Sequence, residues 1–122
     1  MIQILSVTDA QARAEICRRG GVTEGEDLHI IASVQENGVP ENAAIFRYFA
    51  DRGEILFLEE NKDTDITVGL GKAVLSIMEL RGVKNAVMPI NMEKIARLLG
   101  FEEKDGKFSV CLEGYFCCKH HN

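Results

Sequence analysis

The sequence predicts an α/β (α+β) fold, a single domain on one mixed, mostly antiparallel central sheet flanked by helices. Three observations carry that expectation. Apolar stretches at residues 28–34 (LHIIASV), 42–49 (NAAIFRYF) and 54–59 (EILFLE) are separated only by turn signals, Glu36-Asn37-Gly38-Val39-Pro40 and Asp51-Arg52-Gly53. A helical stripe follows, Ile66, Leu70, Ala73, Val74, Ile77 and Met78, spaced as one face of an α-helix. The chain has 122 residues, enough for one compact core.

Taken in order, residues 1–7 form a short strand. Thr8-Asp9-Ala10-Gln11 reads as a capping box opening a helix that runs to Arg19, where Gly20-Gly21 stops it. Residues 22–27 are a polar loop. The three strands make an antiparallel meander, and the third, apolar at consecutive positions, belongs in the middle of the sheet. Residues 61–65 form a charged loop before the second helix, which Gly82 ends. A strand at 84–88 is closed by Pro89. Asn91 can cap a helix over 92–99 with Ile95, Ala96, Leu98 and Leu99 as its apolar positions, and Gly100 stops it. Strands at 101–103 and 107–112 flank the turn Lys104-Asp105-Gly106. The order is β-α-β-β-β-α-β-α-β-β, with residues 1–116 as the domain and 117–122 as a tail.

Composition excludes several classes. The formal net charge is −5, and Arg18-Arg19 is the only basic pair in a predicted helix, which argues against a nucleic-acid surface. No apolar run approaches the roughly 20 residues of a membrane span. The first ten residues carry neither a basic segment nor a long apolar one, so a cytoplasmic protein is expected. Its cysteines should then be reduced, with Cys17 and Cys111 as small core residues. Cys117, Cys118, His120 and His121 include metal-ligand types, but adjacent residues of an extended chain point to opposite sides, so no metal is expected. A homodimer could complete such a site from two chains.

Glu36-Asn37-Gly38-Val39-Pro40 with Ala43-Ala44-Ile45, then Gly69-Leu70-Gly71-Lys72-Ala73-Val74-Leu75, then Leu98-Leu99-Gly100-Phe101-Glu102 resemble, in that order and spacing, motifs of the GCN5-related N-acetyltransferase (GNAT) superfamily. The resemblance covers nearly the whole chain. It implies acetyl-CoA as co-substrate and transfer of an acetyl group to an amine of a small molecule or peptide. It implies that the pantetheine arm lies along the third meander strand at Phe57 and Leu58. It implies that Val68, Gly69, Leu70, Gly71 and Lys72 receive the pyrophosphate, where residues without Cβ atoms allow close backbone approach. Asn91 stands near the asparagine the family expects, whose own position is Pro89. Ile66 stands where the loop motif has Gln or Arg, and Asp63 and Asp65 precede the glycines. Ala96 occupies the position of the family's general-acid tyrosine.

Glu59 and Glu60, at the end of the third meander strand, are where the resemblance places a general base; the other reading is a solvated strand end. Tyr115 could replace the missing acid, or pack its ring with its hydroxyl in water. His29 reads as a partly buried structural histidine. Glycine 69 and 71 equally fit a closely packed helix start. A catalytically silent ligand-binding or interaction module of the same fold is the alternative function.

Overall fold

The computed structural model describes residues 3–116. Strands β1 (Gln3–Ser6), β2 (His29–Val34), β3 (Pro40–Phe49) and β4 (Arg52–Leu58) are antiparallel neighbours. Helix α2 (Thr64–Leu80) then carries the chain back, so β5 (Asn85–Met88) pairs parallel to β4, as a helical crossover permits. After α3 (Glu93–Leu98), the hairpin of β6 (Glu102–Lys104) and β7 (Lys107–Cys111) completes a sheet of order β1-β2-β3-β4-β5-β7-β6. The fold is the mixed, mostly antiparallel α+β sheet predicted from the pattern, in the predicted order.

Each face of the sheet has its own core. On one face, Ile16 and Cys17 of α1 (Ala10–Gly20) meet Ile30, Ala32, Ala43 and Ile45. On the other, Leu70, Val74 and Met78 of α2 are fully buried with Ile31, Ala44, Phe46 and Ile55. The alternation of Ile30 and Ile31 between these cores is the period-two geometry of a strand. β4 departs from it. Phe46 pairs with Ile55 but Ile45 pairs with Phe57, so Leu56 is an extra residue, a β-bulge. The bulge lets Ile55 and Leu58, three apart, share the α2 face, while Leu56 and Phe57 reach the α1 face.

Local chemistry corrects several boundaries. Asp9, not Thr8, caps α1, accepting the Ala12 N–H at 2.9 Å. The turn between β3 and β4 is Ala50-Asp51, with Ala50 at φ 53°. Gly53 lies inside β4, where a Cβ would come within 2.6 Å of Met78 Sδ, so helix packing rather than turning requires it. Helix α2 starts at Thr64 with Asp63 as its cap, inside the stretch expected to be loop. Its buried face includes Thr67, Gly71 and Leu75, while Ile66, Ala73 and Ile77 lie at the flanks, because α2 packs on α3 as well as on the sheet. Met92 precedes α3 and Asn91 sits in a short 3-10 turn, so Asn91 does not cap α3. Leu98 is exposed, on the outer side of that helix.

Cys111 and His29 differ from expectation, while Cys17 is the small core residue expected. Cys17 is buried in the α1 core, and burial raises its thiol pKa above the ordinary value. Cys111 is exposed. It pairs with Asn85, and the neighbouring pair Ala86 and Val110 takes the α2 side, which leaves Cys111 on the opposite face, beyond the strands whose buried residues pack against α1. His29 is exposed too, its ring stacked on Tyr48 at 4.8 Å between centroids. Among the described residues, no helix is long and apolar enough to cross a membrane.

Candidate active site

The parallel pairing of β4 and β5 is short. Arg52, Gly53 and Glu54 pair with Asn85, Ala86 and Val87, and the strands then part. Pro89 follows β5 and has no N–H to offer, so it cannot extend the ladder. β4 continues to Leu58 with its bulge at the point of parting. The Glu59 N–H donates to the Ala43 carbonyl at 2.9 Å, on the β3 side. By strand alternation the Leu58 N–H turns the other way, into the gap. A cleft of about 580 Å³ opens here, bounded by the end of β4 and by Pro89, Asn91 and Met92. Gly20 closes one wall, where a Cβ would come within 2.7 Å of the Phe57 ring.

The structure thus gathers five of the sequence-derived candidates, Phe57, Leu58, Glu59, Glu60 and Asn91, around one cleft. Glu59 is fully engaged. Arg19 donates from Nε to Oε2 at 3.0 Å and from Nη2 to Oε1 at 2.8 Å, a bidentate pair. The buried Ala43 N–H also donates to Oε1 at 3.1 Å. Glu60 is exposed, and its carboxylate makes no hydrogen bond or ion pair with a described residue; only its carbonyl is used, accepting from Asn42 Nδ2 at 3.1 Å.

The other candidates lie elsewhere. Val68 to Lys72 fall within α2, beyond its first turn. Gly71 is buried, and a Cβ there would come within 2.7 Å of Leu99 Cδ1, so this glycine admits α3 against α2. A Cβ on Gly69 would meet nothing within 4 Å, and Lys72 is exposed. Tyr115 packs against the α2 core, and its hydroxyl donates to the Leu99 carbonyl in a short hydrogen bond. Burial raises its phenol pKa. Ala96 is fully buried.

Asn42, Asn61 and Thr67, to which sequence reasoning gave no role, organise the approach to the cleft together with Asp63 and Asp65. Asn42 is buried; Asn61 Nδ2 donates to its Oδ1 at 2.7 Å, and its own N–H donates to Ser33 Oγ at 3.2 Å. Thr67 Oγ1 accepts the Asn61 N–H at 2.8 Å, and Asn61 Oδ1 accepts the Asp63 N–H at 2.8 Å. Asp63 Oδ1 accepts the Asp65 N–H at 3.0 Å. The chain from β4 into α2 is therefore tied to β2 and β3 by its own polar groups. The signal for the helix start was present, since aspartate is a preferred cap. The partnership of Asn42 with Asn61 had none.

Among the described residues, no group of three or more His, Cys, Asp or Glu could hold a metal ion. Cys117, Cys118, His120 and His121 lie outside the described residues.

The seven-stranded mixed sheet has the fold of solved structures of GNAT-family acetyltransferases. Solved structures carry the comparison. The ribosomal-protein-S18-alanine N-acetyltransferase of Escherichia coli superposes with a TM-score of 0.71 at 14% identity, over 92% of this chain and 94% of that one. A GNAT-family acetyltransferase of Staphylococcus aureus gives 0.70 at 9%, over 92% and 99%. A GNAT-family N-acetyltransferase of Escherichia coli in complex with CoA gives 0.65 at 12%, over 93% and 83%. The likeness is one of fold. No protein-family model matches the chain, and no curated protein sequence does.

Proposed function

We propose that this protein is an N-acyltransferase that takes the pantetheine arm of an acetyl thioester into the β4–β5 cleft and transfers the acyl group to an amine of a small molecule or peptide. The observation that carries this reading is the parting of β4 from β5 at a bulged strand, which leaves a strand edge open to an extended ligand. An arm with amide groups can pair with such an edge as an added strand would. One similar structure holds CoA.

The residues fit the arm. Leu56 and Phe57 offer apolar wall, and the Leu58 N–H is a donor for the thioester carbonyl, where it would stabilise charge developing on oxygen. Glu60, exposed at the cleft mouth and unpaired among the described residues, is the group to take a proton from an incoming ammonium. Glu59 positions Arg19 and the end of β4 rather than serving as base, because both its oxygens are held, Oε2 by Arg19 and Oε1 by Arg19 and the Ala43 N–H. The start of α2, with the exposed Asp63 and Asp65 carboxylates in its cap and first turn, does not fit a pyrophosphate.

A second reading, a ligand-binding protein without transfer, is favoured by the buried Ala96 and by Tyr115, whose hydroxyl is tied to Leu99. Calorimetry with acetylated pantetheine and acetyl-CoA, followed by thiol release across an amine panel, separates the readings. Binding with amine-dependent thiol release is expected, and Glu60→Gln should lower the rate by about 100-fold or more with affinity unchanged. Binding without release from any amine supports the second reading. No binding of either thioester removes both.

A further inference from the structure

We infer that the donor is held through its pantetheine arm alone, and that Asp63 and Asp65 select against a diphosphate at the start of α2. The preferred donor is then a pantetheine thioester that places no diphosphate there. This rests on the cleft reading above and adds the donor class.

Helix α2 begins at the end of the sheet where β4 ends, joined to it by residues 59–63, so a ligand leaving the cleft along this edge meets the first turn of α2. A helix start ordinarily offers unpaired N–H groups and the positive end of the dipole to an anion. Here those of Asp65, Ile66 and Thr67 are spent internally, as are the Asn61 and Asp63 N–H groups just before the helix. The Asn61 N–H goes to Thr67 Oγ1 at 2.8 Å, the Asp63 N–H to Asn61 Oδ1 at 2.8 Å, and the Asp65 N–H to Asp63 Oδ1 at 3.0 Å. The N–H groups of Ile66 and Thr67 both go to the Asp63 carbonyl, at 3.0 and 3.4 Å.

Charge acts in the same direction. Residues 59–65 hold four carboxylates and one lysine, Lys62, and Glu59 is already paired with Arg19. The exposed Asp63 and Asp65 carboxylates stand in the cap and first turn, where they favour the helix and repel a second anion. The glycines offer no alternative cradle. Both lie past the first turn, and the space at Gly71 is taken by Leu99.

Calorimetry tests this on the intact protein with S-acetylpantetheine and acetyl-CoA, at low and high salt, and on the Asp63→Asn/Asp65→Asn variant. Asparagine caps helices as well as aspartate, so the variant should fold. S-acetylpantetheine should bind at least as tightly as acetyl-CoA. The double substitution should tighten acetyl-CoA by about three- to tenfold at low salt and leave S-acetylpantetheine unchanged. Acetyl-CoA binding about tenfold tighter than S-acetylpantetheine in the unsubstituted protein would overturn the selection while leaving the cleft reading intact. Equal response of both ligands to the substitutions would overturn it as well. Failure of both ligands to bind would remove the cleft reading, and this inference with it.

Discussion

Gly69 and Gly71 look equivalent in sequence, and their surroundings make them opposites. A methyl group at Gly71 would overlap Leu99, so Gly71→Ala should destabilise by about 1–3 kcal/mol in urea denaturation through overpacking. At Gly69 the helix is regular and the space is open. Gly69→Ala should therefore stabilise by about 0.5–1 kcal/mol. The same variant probes the sequence-derived phosphate role. A fall in acetyl-CoA affinity alongside that gain in stability would show that a ligand does approach this backbone. Tyr115→Phe should cost about 0.5–1.5 kcal/mol through the lost bond to the Leu99 carbonyl. Its thiol-release rate should equal that of the unsubstituted protein; a drop of an order of magnitude would restore the acid role to Tyr115.

Between elements, the joins around β4 matter most. Glu59 accepts the buried Ala43 N–H as well as the Arg19 guanidinium. Glu59→Ala leaves that strand N–H without an acceptor and should cost about 1–3 kcal/mol. Glu59→Gln keeps a carbonyl oxygen and should cost clearly less. Equal losses in the two unfolding curves would mean that the charge pair, not the backbone contact, is what Glu59 supplies. The consecutive apolar residues of β4 announced a central strand but not its bulge. A run apolar at every position carries no phase, so it cannot report where one residue slips out of register.

For the whole molecule, stability should depend on pH through His29, at the start of β2. Desolvation lowers its pKa below the ordinary 6.5, helped by Arg13 and Arg81, with Asp27 acting the other way. The folded state therefore binds the proton less readily than the unfolded chain. Stability is intact above 6.5 and declines as pH falls below that value towards the folded pKa. His29→Gln should flatten thermal stability between pH 7 and 5.5 relative to the native chain. An unchanged slope would assign the dependence to other groups.

The sequence by itself determined the element order, the helix-ending glycines, the meander and the resemblance to an acetyltransferase fold, because caps, turns and periodicity are set by neighbours along the chain. It also marked Phe57 to Glu60 as the end of a central strand. Only the tertiary structure decided what those residues can do. The parting of β4 and β5, the pairing of Glu59 with Arg19, the Asn42–Asn61–Thr67 ties and the filling of Gly71 by Leu99 join residues distant in sequence. No local pattern encodes such contacts; they exist once the helices are packed on the sheet.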